Sequence, residues 1–321
     1  MKKLYFTLTV FVAIFGGFSR TYSNWTLQDS GTLSWLRSVY FISSERGWAA
    51  GSNGTFIFTQ DGGRHWKSNQ KFINYDFVDV FFKDEKRGWL LCEKVNPKNS
   101  FNRDTCFLES NDGGATWTSL DLPKVSLRMS RIIPLGEDRL ILIGENGTIF
   151  ELNTVNGEWE IKQLPIAQRI VSGQSIDSLS LILLTRTGIV TKTNDGGKNW
   201  LSVLTSENII ATPLTGLLMN RESGFLIGRN GTLWQFNAFN QTWKRESLGI
   251  TNDLQDICFI DEKTGFIVGD KGLILSSDDG GKTWVTTNSP TTHRLERIVC
   301  KSNKAIAVGF GGVIVLYQRS N

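Results

Sequence analysis

The stretch Ser277-Asp278-Asp279-Gly280-Gly281-Lys282-Thr283-Trp284 recurs along the chain, as TQDGGRHW at 59–66, SNDGGATW at 110–117 and TNDGGKNW at 193–200. Each copy is the visible end of a longer frame in which a turn glycine is followed twelve residues later by tryptophan. The step joins Gly54 to Trp66, Gly147 to Trp159, Gly188 to Trp200, Gly231 to Trp243 and Gly272 to Trp284, with Thr105 in the glycine position before Trp117. Gly312 opens a seventh copy whose tryptophan would fall beyond Asn321, while Trp25 near the N-terminus has no turn glycine before it.

Turn positions spaced by close to forty residues, apart from a longer first step, predict four short strands per unit arranged as blades around an axis. Seven starts with a split last unit predict an all-β, seven-bladed propeller of four-stranded blades. The N-terminal strand completes the last blade and closes the ring, so that sheet edges are not left open. In the first unit the predicted strands are 36–42, 47–51, 55–59 and one beginning at Trp66. Asn53-Gly54, Asn146-Gly147 and Asn230-Gly231 between the second and third strands are dipeptides that tight hairpins favour.

Residues 1–23 carry Lys2 and Lys3, an apolar run from Leu4 to Phe18 and a polar end, the pattern of an export signal. The run is shorter than the ~20 residues of a membrane-spanning helix, and no cysteine stands near its end. Residues 24–321 form the expected single domain, exported to a periplasm, a thylakoid lumen or the exterior. Without Lys2, Lys3 and Arg20, the 35 basic residues fall to 32 against 31 acidic ones, a balance that offers nothing to nucleic acid. The chain is read as a monomer able to associate peripherally with a membrane.

In the repeated box, Asp61, Asp112, Asp195 and Asp279 are placed to accept hydrogen bonds from amides of their own turns. Trp66, Trp117, Trp200 and Trp284 are placed to pack between neighbouring sheets. Equivalent positions repeated around a ring point to stacking of units rather than to chemistry. This S/T-x-D-G-G-x-x-W element is the Asp-box, or bacterial neuraminidase repeat. Together with Gly47-Trp48, Gly88-Trp89, Gly224-Phe225 and Gly265-Phe266, each ahead of an apolar strand and a turn glycine, it resembles the photosystem II stability and assembly factor family over essentially the whole mature chain. The resemblance implies an exported seven-bladed propeller without catalytic residues; no cofactor is expected, and no metal spacing is present in the sequence. Its implied role is a scaffold that assists assembly or stability of a membrane protein complex by binding a loop or tail of a subunit.

Cys92 and Cys106 bracket an insert and align with Gly51 and Thr55, which face each other across a hairpin, so a disulfide is expected there. Cys258 and Cys300 lie in the inner strands of adjacent units one residue out of step, on opposite sheet faces, and are expected as free thiols.

The binding surface of a propeller is formed by its blade-joining loops and its second-to-third-strand turns. Here the joining loops carry Arg37, Lys71, Lys124, Arg128, Arg131, Arg169, Arg294 and Arg297, with Trp35 and Tyr75 nearby, a candidate basic face for acidic loops or a carboxylate tail. Glu246, Asp253, Asp256 and Glu296 lie in comparable segments. The alternative is a glycan-active Asp-box protein: a sialidase-like enzyme, a glucan hydrolase or a lectin. A sialidase would need an arginine triad, a tyrosine nucleophile and a glutamate, yet Arg131-Ile132-Ile133-Pro134 has one residue too many for the Arg-Ile-Pro motif, and the mature chain has only Tyr40, Tyr75 and Tyr317. His65 and His293 are too few for a metal cluster or a Ser-His-Asp arrangement.

Overall fold

A computed structural model describes residues 25–96, 99–124, 127–204, 214–219, 223–237 and 242–319; the leader at 1–23 lies outside the described residues. Seven antiparallel sheets of four strands each are arranged in chain order, as the repeat frame predicts. Blade 1 consists of Leu36–Phe41, Gly47–Gly51, Thr55–Thr59 and Lys67–Lys71. Blade 7 takes Leu295–Lys301, Lys304–Gly309 and Ile314–Gln318 from the C-terminus and Thr26–Gln28 from the N-terminus. Thr26 pairs with Leu316 and Gln28 with Ile314, which closes the ring by strand pairing.

The twelve-residue frame has a physical cause at each end. At its start, Asn53 and Gly54 both adopt positive φ (55° and 62°), and a Cβ at Gly54 would overlap the carbonyl of Phe72 in the loop leading to blade 2. The same overlap recurs between Gly147 and Ile166, Gly272 and Thr291, and Gly312 and Thr32, so the turn glycine seats the blade-joining loop against the turn. At its end, the tryptophan enters the apolar seam with the preceding blade. Seven hydrophobic clusters each span two neighbouring blades, and each holds one of Trp25, Trp66, Trp117, Trp159, Trp200, Trp243 and Trp284. Trp25 and Trp66 are buried and the other five half-buried.

Within the box, the Thr59 hydroxyl donates to Asp61 Oδ1 at 2.9 Å and accepts from the Gly63 amide at 3.0 Å, while the His65 amide donates to the same carboxylate at 3.0 Å. Ser110, Asp112, Gly114 and Thr116 repeat the pattern in blade 2. The Thr116 hydroxyl and amide hold the Asp112 carboxyl down to about 2.

The cysteine expectations are corrected at both pairs. Cys258 and Cys300 are bonded to each other, with Cα atoms 5.7 Å apart. Their one-residue offset does place them on opposite faces of equivalent strands: Cys258 pairs with Phe266 in blade 6, whereas Val299 holds the matching place in blade 7. Blades, however, stack face to back, so opposite faces of adjacent blades are the two that meet, and the offset is what a bridge between them requires. Cys92 and Cys106 remain thiols. They oppose each other in register with sulfurs 2.8 Å apart, and the Cys92 thiol donates to the Cys106 carbonyl at 3.2 Å. Burial raises the Cys92 pKa well above that of an ordinary thiol. The insert they bracket is a β-ribbon that lengthens strands Gly88–Asn96 and Asn99–Ser110.

Candidate functional site: an arginine-walled cavity on the axis

The inner strand of every blade carries an irregularity at one register. Pairing slips between Leu36 and Ser38 in blade 1, and at the corresponding step in each of the other six. A bulge of this kind re-aims the side chain it releases. The residues so released are Arg37, Val78, Ser130, Val171, Thr215, Gln255 and Glu296, one per blade, and all seven line a single cavity of about 360 Å³. Arg131 and Arg297, immediately after the bulges of blades 3 and 7, join them. So do Arg169 and Arg294, just before inner strands, and Arg186 and Arg229, at the turns between second and third strands. Among the described residues the wall therefore holds seven arginines from five blades and one carboxylate, Glu296.

That carboxylate is engaged. Glu296 Oε2 lies 2.8 Å from Arg294 Nε, and Arg294 also reaches Asp270 at 3.4 Å and donates to Gln255 Oε1 at 2.9 Å. Arg229 lies 3.6 Å from Asp253. Among the described residues, Arg37, Arg131, Arg169, Arg186 and Arg297 form no ion pair. Burial, and then the charge of Arg297, pull the Arg131 pKa down to about 10, against the opposing pull of Asp256, Asp79 and Glu296; the guanidinium stays charged at neutral pH.

Two aspartates beneath the wall are committed to the scaffold. Asp79 accepts from the Ser38 hydroxyl at 2.5 Å and from the Ile132 amide at 2.8 Å, linking blades 1, 2 and 3. Asp256 accepts from the Ile298 amide at 3.0 Å and links blade 6 to blade 7. The arrangement presents fixed guanidinium groups to a space large enough for a chain end, with its acids used internally. Such a wall suits bidentate recognition of carboxylates. Among the described residues no group of three His, Cys, Asp or Glu side chains could hold a metal ion.

Of the residues singled out from sequence, Arg37, Arg131, Arg169, Arg294 and Arg297 meet in the cavity. Trp35 sits at its rim, its ring 5.0 Å from the Arg37 guanidinium carbon and 5.6 Å from that of Arg294. Lys124 and Arg128 are exposed and Tyr75 packs on Phe72 and Phe77; none of the three belongs to the wall. Lys71 pairs with Thr55, and its side chain lies outside the described residues. Sequence reasoning missed Arg186 and Arg229. Each stands two positions before a turn glycine, Gly188 and Gly231, so the repeat frame carried the signal.

Residues 18–163 and 235–317 match the family model described as photosynthesis system II assembly factor YCF48. The photosystem II assembly lipoprotein Ycf48 of Synechococcus sp. (strain CC9902) is 22% identical over 274 residues, covering 82% of this chain and 78% of the relative. The chloroplastic photosystem II stability/assembly factor HCF136 of Arabidopsis thaliana is 21% identical over 320 residues, covering 88% and 75%. A solved structure described as YCF48 bound to D1 peptide has a TM-score of 0.77 at 20% identity and covers 94% of this chain and 97% of its own.

Proposed function

This chain belongs to the photosynthesis system II assembly factor YCF48 family, and from that premise we propose that it is a non-enzymatic, exported, monomeric scaffold that holds a carboxylate-bearing loop or tail of a membrane-complex subunit during assembly. The observation that carries the proposal is the convergence, among the described residues, of seven arginines on one axial cavity whose one lining carboxylate is already paired. Guanidinium groups fixed by the blades offer their donors without the ordering cost that flexible lysines would carry. The related structure described with a bound D1 peptide supports a polypeptide occupant.

Hydrolytic chemistry finds no support in the same cavity. Among the described residues Tyr40, Tyr75 and Tyr317 do not line it, and the carboxylates of Glu296 and Asp270 are both tied to Arg294 Nε, so neither acid stands free for general acid–base work. Export to a periplasm, a thylakoid lumen or the exterior is supported by Lys2 and Lys3 ahead of the apolar run.

The test is affinity capture from detergent-solubilised membranes of the host, with the mature chain run beside an Arg169→Glu/Arg186→Glu variant. Both arginines are exposed, so charge reversal should leave the fold intact. A membrane subunit recovered by the parent and lost by the variant supports the proposal; identical recovery by both overturns it.

A further inference from the structure

The cavity wall changes character at the junction of blades 7 and 1. In blade 4, the residue before the inner strand and the first residue of the second turn are joined by a backbone hydrogen bond, from the Arg186 amide to the Arg169 carbonyl at 3.0 Å. The same bond identifies the corresponding pair in other blades: Ser52 with Trp35, Glu145 with Arg128, Asp270 with Asp253, and Phe310 with Arg294. These positions are polar or charged except at two places, Trp35 and Phe310, which belong to adjacent blades and meet edge to face with centroids 6.1 Å apart. Phe310 is 53% exposed, and two residues before Trp35 stands Leu33, 87% exposed. An aromatic pair with one ring exposed at the mouth of a charged cavity marks a surface that something covers.

From this we propose that the polypeptide held in the cavity carries a large apolar side chain within the three residues preceding its carboxylate, and that Trp35 and Phe310 receive it. The inference rests on the scaffold reading above and adds the sequence preference of that site. Continuity with the wall supplies the argument. Arg37, which forms no ion pair among the described residues, lies against the Trp35 ring, so a carboxylate on its donors lies beside the aromatic pair. From the Arg37 guanidinium to Trp35 and on to Phe310 the distance is at most about 11 Å, three residues of extended chain at roughly 3.3 Å each. Charge fixes the chain end, and the shelf reads the side chain just before it.

Two fluorescein-labelled heptapeptides test this by anisotropy. Both end in glutamate with a free terminal carboxylate; one has phenylalanine three residues before the end and the other has serine there. The wild-type protein should bind the phenylalanine peptide about tenfold more tightly. Phe310→Ser should bind both peptides as the wild type binds the serine one, and Leu33→Ser, which changes the loop without removing the aromatic pair, should keep most of the preference. Equal binding of the two peptides by the wild type, or a preference that survives Phe310→Ser, overturns the shelf while the arginine cavity stands. Binding of neither peptide overturns both.

Discussion

Removing the bridge between blades 6 and 7 should lower stability by about 4 kcal/mol. Cys258 and Cys300 are 42 residues apart in sequence, and the chain entropy that a cross-link of this span removes from the unfolded state amounts to about 4 kcal/mol at room temperature. The closed loop contains three strands of blade 6, the joining loop and most of the inner strand of blade 7. It thus ties the last complete blade to the one that the N-terminus closes. The perturbation is the double variant Cys258→Ala/Cys300→Ala, compared with the parent by urea unfolding without reductant. Reduction of the parent should bring its curve onto that of the variant. Thiol titration of the denatured, unreduced parent should find two thiols, Cys92 and Cys106. Four thiols would show that the bridge is not made. Coincident unfolding curves for parent and variant, with two thiols found, would refute the entropic reasoning.

Gly281→Ala should destabilise by about 2–3 kcal/mol, because Gly281 has φ +84° and a Cβ there would overlap the Phe225 ring of blade 5. Gly31→Ala, at φ +67° with nothing within 4 Å, should cost only about 1 kcal/mol, and equal losses in urea unfolding would refute the crowding argument. Asp79→Ala leaves the Ile132 amide without its acceptor and should cost about 2–3 kcal/mol, read as a lower unfolding midpoint. For Asp112, the folded-state pKa of about 2 lies below the ~3.9 of an unfolded aspartate. Its contribution is therefore complete above about pH 5 and lost as pH falls towards about 2. Asp112→Asn should show a shallower loss of stability across that window than the parent, and a parallel loss in both would count against the carboxylate.

The ring was legible because its determinants are local. Glycine and asparagine at positive φ, strand alternation and the tryptophan twelve residues on are all set within one repeat, and the unpaired Trp25 and Gly312 at the two ends announced the strand exchange at Thr26–Gln28. The candidate site was half legible. Arg37, Arg131, Arg169, Arg294 and Arg297 could be assigned to the joining loops, but the same reasoning gave Lys124, Arg128 and Tyr75 equal standing. Nothing in a linear reading says that the inner strands bulge at one register and turn Arg37 inward while Arg128 stays at the surface.

The cysteines divide along the same line. Sequence was enough to set Cys92 opposite Cys106 in one hairpin, since hairpin register is a local property, but not to place their sulfurs, which lie 2.8 Å apart. It was enough to show that Cys258 and Cys300 lie on opposite sheet faces, yet only the stacking of blades makes those two faces meet. Blade number, strand order and closure follow from interactions within one repeat. The arginine wall, the aromatic shelf and the cross-blade bridge follow from contacts between repeats, which depend on how seven twisted sheets pack about a common axis.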